Sequence, residues 1–260
     1  RALRNALTVP PPDSAMAALA LVVLVAFTVE AMAGFGATVV TVTLASQFMP
    51  IPQVLAALVP VNMLLSAYLV ARHRASVSWH HVVRAGLGLM GAGVLVGMAL
   101  YRAERHGWLK AAFAAFVVVL AAVELARLRR GNAGAGTPLP TGRRALALVA
   151  AGVVHGIFAC GGPMLVYVLG RELDDKARFR ATLSAIWLAL NGMLIANLVA
   201  AGDLGARSLG NSAALLLSLA GGLVLGERAH ARIDEARFRV AVYGLLLLAG
   251  SSLLVRTLLA

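Results

Sequence analysis

Charge is what this chain most lacks. Only 13% of its 260 residues are charged, where a globular domain carries about a quarter, while 60% are apolar and the mean hydropathy is +0.86. A soluble domain of this length cannot hide that much apolar surface. Cysteine is nearly absent too: Cys160 stands alone inside an apolar run, which excludes a disulfide framework and a cysteine-ligated metal cluster. At membrane depth there is no His-Glu-x-x-His pattern and no pair of carboxylates, so an intramembrane enzyme has little to work with. No metal or other cofactor is expected. The polar start, 1–12, and the first apolar run show no cleavage-site pattern, so a cleaved signal peptide is not expected.

What is present is a series of long apolar runs separated by short Arg-rich joints. The roughly 20 residues that span about 30 Å of hydrocarbon set the scale. The first run, Ala15 to Met49, is too long for one such span, too short for two with a loop, and interrupted at Gly34-Phe35-Gly36. Simple runs follow at Gln53 to Ala71, Ala85 to Tyr101 and Trp108 to Ala126. A joint rich in Gly, Pro and Arg comes next, and then the pattern recurs. Ala145 to Gly170 is broken at Gly161-Gly162-Pro163, and Ala181 to Ala201, Leu209 to Gly226 and Val240 to Val255 are simple. The reading is therefore all-α and polytopic, with a first membrane repeat over 1–130, a linker over 131–144 and a second repeat over 145–260. Each repeat is a broken, re-entrant helical hairpin followed by three transmembrane helices. Internal duplication of this kind is common in transporters.

The net charge of +12 would suggest nucleic acid in a soluble protein. Here the arginines lie in the joints, so they read as topology signals and no nucleic-acid partner is expected. If each broken run crossed once, the two sides would share the basic residues nearly equally. If each goes in and returns, one side collects 16 of the 23 Lys and Arg and the other 7. The hairpin arrangement alone satisfies the positive-inside rule. It places joints 72–84, 127–144 and 171–180 in the cytoplasm and both termini outside, and it gives the two halves inverted topology. Trp79, Tyr101 and Trp108 fit an interfacial belt in contact with lipid.

In their order and repetition, three motifs resemble the TauE/SafE family of sulfite and organosulfonate exporters. They are Gly34-Phe35-Gly36 followed by an apolar run and Pro50-Ile51-Pro52, then Cys160-Gly161-Gly162-Pro163, then Phe179-Arg180-Ala181-Thr182 opening the next helix. The resemblance covers nearly the whole chain. It implies a multi-pass transporter of a bacterial inner membrane whose substrate is sulfite, a sulfonate or a similar sulfur oxyanion. Departures from the family pattern fall at Ala37, where a further glycine is usual, and at Pro60-Val61-Asn62, where a small Thr/Ser segment is expected.

The residues themselves suggest how an anion would be held. A chain reversing inside hydrocarbon exposes backbone groups that are tolerated only where they line a cavity. Glycine allows such a turn and a close approach, and Pro163 suits the first position of an outgoing helix. The outgoing helix N-termini, near Gly34, Phe35, Gly36 and Ala37 in one half and Gly161, Gly162 and Pro163 in the other, would turn free N–H groups and positive dipole ends toward the membrane interior. The same glycines would also suit a tight packing seam. Thr38, Asn62, Thr182, Ser184 and Asn191 are expected as neutral donors to the oxyanion, or else as bonds between helices. Glu30 and His155 are ionisable residues well inside the broken runs, and such residues are functional candidates by default. They are expected to couple proton and anion movement, the alternatives being a protonated structural carboxyl and a satisfied core histidine. A secondary transporter is thus the leading function, with an anion channel and an intramembrane enzyme as alternatives.

Overall fold

In the computed structural model, which describes residues 12–33, 36–103, 108–129, 138–173, 175–230 and 235–259, the described residues are helical and contain no strand. Helix α1 (Pro12–Ala33) breaks before the short α2 (Ala37–Ala45), and α3 (Ile51–His73) follows. A helical rod then runs from α4 (Trp79–His81) through a π-helical stretch, Val82–Met90, into α5 (Gly91–Ala103), and α6 (Trp108–Arg129) closes the first series. The second series is α7 (Thr141–Phe158), short α8 (Gly162–Leu169), α9 (Lys176–Ala201), α10 (Ala206–His230) and α11 (Glu235–Leu258). Each simple apolar run of the sequence lies in one helical segment, and each broken run is shared between two helices. The helices outrun the apolar stretches because polar residues complete the end turns. Arg72 and His73 occupy the last turn of α3, where cations complement the exposed carbonyls, and Asp175 caps α9 by accepting the Arg178 N–H at 2.6 Å. Seven helices among the described residues are long and apolar enough to cross a membrane.

The reversal in the second half differs from the expected one in its position. The left-handed residue is not one of the glycines but Ala159 (φ 55°), which ends α7 by donating its N–H to the His155 carbonyl. A non-glycine residue there costs about 1 kcal/mol. Gly161 is required for space instead. A Cβ on it would overlap the Ala151 carbonyl oxygen and come within 2.8 Å of Met90 Cε and 2.9 Å of His155 Cβ. The chain has therefore turned back alongside α7, and the far ends of the hairpin meet. Arg144, in the first turn of α7, donates to Glu172, just past α8, with its Nε at 2.5 Å and its Nη2 at 3.2 Å. His81 Nε2 lies 3.3 Å from the same carboxylate, and the guanidinium groups of Arg127 and Arg171 lie 4.4 and 3.8 Å from the Tyr167 ring centre. The described residues of joints 72–84, 127–144 and 171–180 thus share one end of the molecule. In the first half the turn falls on Gly36 (φ 111°), and α2 packs back along α1.

The principal pairings all join one series to the other: α1 with α10, α7 with α5, α3 with α9 and α6 with α11. The set is unchanged when the two series are exchanged. Two of these contacts are parallel seams of small residues. Gly93 and Gly97 of α5 meet the backbone of Val149 to Gly156 on α7 so closely that any Cβ would overlap the carbonyls of Val149 and Val153. Gly222 and Gly226 of α10 lie likewise against Leu24, Thr28 and Ala31 of α1. In lipid, where apolar burial gives no drive, such close van der Waals contact is what holds helices together.

Candidate functional site

A cavity of about 610 Å³, its open mouth included, lies where both hairpins turn. From α1 and α2 it receives Glu30, Gly36, Thr38 and Val39, and from the α7–α8 turn His155, Ala159, Cys160, Gly162 and Pro163. Helix α3 adds Asn62, Leu65, Ser66 and Leu69, and α9 adds Ser184, Trp187 and Asn191. No Lys or Arg lines it among the described residues. The wall runs from the level of Asn62 and Asn191 toward Leu69 and Ser184, that is, toward the end that carries the basic joints.

The two short helices present their N-termini here in different states. The first four N–H groups of a helix lack partners within it. On α2 the first of them is taken, since Ala37 N–H donates to Glu30 Oε2 at 3.0 Å. On α8 there is no side-chain cap, Pro163 has no N–H to leave unpaired, and a Cβ on Gly162 would find only Trp187, at 3.8 Å. Beside α8, the His155 ring stacks on Trp187 with centroids 5.3 Å apart and planes 22° apart. His155 is 2% exposed, and both of its ring nitrogens lack a hydrogen-bond partner. A buried polar group left unpaired costs about 1–3 kcal/mol, which is reason to expect a ligand for it. Asn62 donates to Thr38 Oγ1 at 3.1 Å, leaving the Thr38 hydroxyl proton free to donate elsewhere. Arg180, at the start of α9, is the charged residue whose field reaches Glu30.

Of the residues singled out in the sequence, Glu30, Gly36, Thr38, Asn62, His155, Gly162, Pro163, Ser184 and Asn191 meet at the cavity. Ala37 lies just behind it with its amide on Glu30, and Gly161 packs behind the turn. Gly34 and Phe35 lie outside the described residues. Thr182 is not at the cavity: its hydroxyl oxygen accepts the Ser78 N–H at 2.9 Å, tying α9 to the start of α4. Ser184 is at the wall but donates its proton to the Arg180 carbonyl at 3.0 Å, so it can only accept. Glu30 is bonded to Ala37 and not to His155. Sequence reasoning missed Trp187, Ser66 and Leu69. The spacing Ser184, Trp187, Asn191 along one helical face would have disclosed Trp187.

A multi-pass membrane protein with a polar cavity at two broken helices belongs to the transporter class of architectures. The chain is a member of the sulfite exporter TauE/SafE family, whose pattern matches residues 19–253. Comparison with curated proteins and with solved structures gives no match. Membership of a transporter family agrees with the scarcity of catalytic groups and makes membrane transport of sulfur compounds the general function.

Proposed function

We propose that the protein is a secondary transporter carrying sulfite, a sulfonate or a similar sulfur oxyanion across a bacterial inner membrane, with the anion held in the cavity at the α8 N-terminus. The observation that carries this reading is a cavity with no lysine or arginine among its described lining residues, at which an uncapped helix end and an unpartnered buried histidine both lie. Backbone N–H groups and a helix dipole suit an oxyanion and release it again more readily than an arginine would. The Asn191 and Asn62 amides and the Thr38 hydroxyl supply neutral hydrogen bonds that tell a tetrahedral or pyramidal oxyanion from chloride. Glu30 carries a proton whose movement is coupled to that of the anion, with His155 as a second group on the opposite hairpin.

The halves 1–130 and 145–260, joined by 131–144, act as inverted repeats, and rocking of one against the other gives alternating access. Exchange-symmetric helix pairing and the basic residues gathered at one end support this, with the cavity then facing the cytoplasm. Arg72, Arg74 and Arg180 near its mouth draw anions in. In a Cys160→Ser background, a cysteine in the linker at Gly134 is expected to stay unlabelled by an impermeant reagent from outside, and labelling would overturn the topology. In proteoliposomes, sulfite flux is expected to saturate and to show counterflow. Ohmic, non-saturating current would instead make the protein a channel.

A further inference from the structure

We infer that the Glu30 carboxylate is a tethered competitor of the transported anion: it occupies the N-terminus of α2 as an anion would, and substrate fills the cavity only as Glu30 is released. The inference rests on the anion-transport reading above and goes beyond it, because it turns Glu30 from a nearby proton carrier into a rival for the same donors.

Glu30 Oε2 sits 3.0 Å from Ala37 N, the geometry a bound oxyanion adopts at a helix end. Glu30 is at the same time partly exposed to the cavity that it lines with Thr38 and Val39, the next two residues of α2. Its release therefore opens the α2 end directly onto the ligand space. The opposite end, on α8, holds no carboxylate, and the unpartnered His155 stands beside it. An anion bridging the two ends needs both, and one is filled. The groups facing Glu30 from its surroundings are few: His155 and Cys160 across the cavity, and Arg180 of α9, whose field reaches it. None is bonded to the carboxylate among the described residues, so the ionised side chain is held by the α2 end, through the Ala37 N–H, and not by a paired cation. A proton arriving from cavity water converts the carboxylate to a neutral acid, which no longer matches the positive helix end. The side chain then leaves, and the anion takes the vacated N–H groups. Proton and anion thus bind together on the same face and each promotes the other. Loss of the proton returns the carboxylate and expels the anion.

The test uses the full chain in lipid nanodiscs with Trp79→Phe and Trp108→Phe, so that Trp187 is the last of the three tryptophans and reports from the cavity wall. Sulfite affinity is titrated against pH in this parent and with Glu30→Gln added. Protonation of sulfite itself is common to both and cancels in the ratio. Glu30→Gln is expected to bind sulfite about tenfold more tightly at alkaline pH, a coupling of ordinary size, and the advantage is expected to shrink as the pH falls. A ratio near one at every pH, or weaker binding by the variant, overturns the inference and leaves the transport reading standing. Absence of sulfite binding in both overturns the transport reading and the inference with it. Difference infrared spectroscopy on the parent is independent of the variant's folding. Added sulfite is expected to raise a protonated-carboxyl carbonyl band, and its failure to do so contradicts competition.

Discussion

At the tip of α1 the left-handed residue is Gly36, with φ 111°, and the first amide of α2 is satisfied by Glu30. At the tip of α7 it is Ala159, with φ 55°, and α8 begins without a side-chain cap beside a histidine whose ring nitrogens have no hydrogen-bond partner. The two hairpins use the same device, a break that turns a short helix's N-terminus into the interior, yet one end is filled by the protein's own carboxylate and the other is open. The roles of glycine differ as well. Gly36 supplies a backbone angle in open space, whereas Gly161 supplies room where no Cβ fits. The two hairpins therefore share a frame and differ at a few positions, which leaves the cavity between them with one occupied helix end and one vacant one.

The largest effect should come from Gly161→Ala, which drives a Cβ into Ala151, Met90 and His155. We expect a loss of about 2–3 kcal/mol, read as a lower Tm in detergent, while Gly162→Ala, with space around it, is near neutral. Equal losses at both positions would erase the distinction between a packing glycine and a site glycine. Next, His155→Phe keeps a ring against Trp187 and removes the two unpaired nitrogens. We expect undiminished thermal stability and sulfite transport lowered about tenfold, the worth of one hydrogen bond to a charged group. Unchanged transport would return His155 to the core. Gly36→Ala should cost about 1–2 kcal/mol through its backbone angle, read as a lower Tm. The smallest effect belongs to Arg144→Gln. It breaks the partly exposed pair that joins the ends of the α7–α8 hairpin, and we expect less than about 1 kcal/mol and unaltered sulfite affinity.

Much of this was legible in the amino-acid order. Apolar runs of spanning length and the glycine breaks at matching positions placed the helices and both hairpins, because a membrane allows few alternatives. Which face of each helix lines the cavity was far less legible. Helices apolar on all sides carry no periodic signal, so Thr182 and Ser184 looked alike although one bonds to Ser78 and the other lies on the wall. Trp187 passed for one more apolar residue of α9. The Glu30 to Ala37 bond spans a seven-residue gap across the break, and only the fold brings its partners together.

The proposed anion site is the α8 N-terminus, and Gly162→Leu probes it directly because a Cβ there meets nothing nearer than Trp187, at 3.8 Å, and a longer side chain extends into the ligand space. The measurement is sulfite counterflow in proteoliposomes for the parent and the variant, with Tm recorded for both. With the anion held at the α8 N-terminus, the expected result is an unchanged Tm and counterflow reduced to the protein-free background. Counterflow at the parental rate with an unchanged Tm would contradict it and place the anion elsewhere.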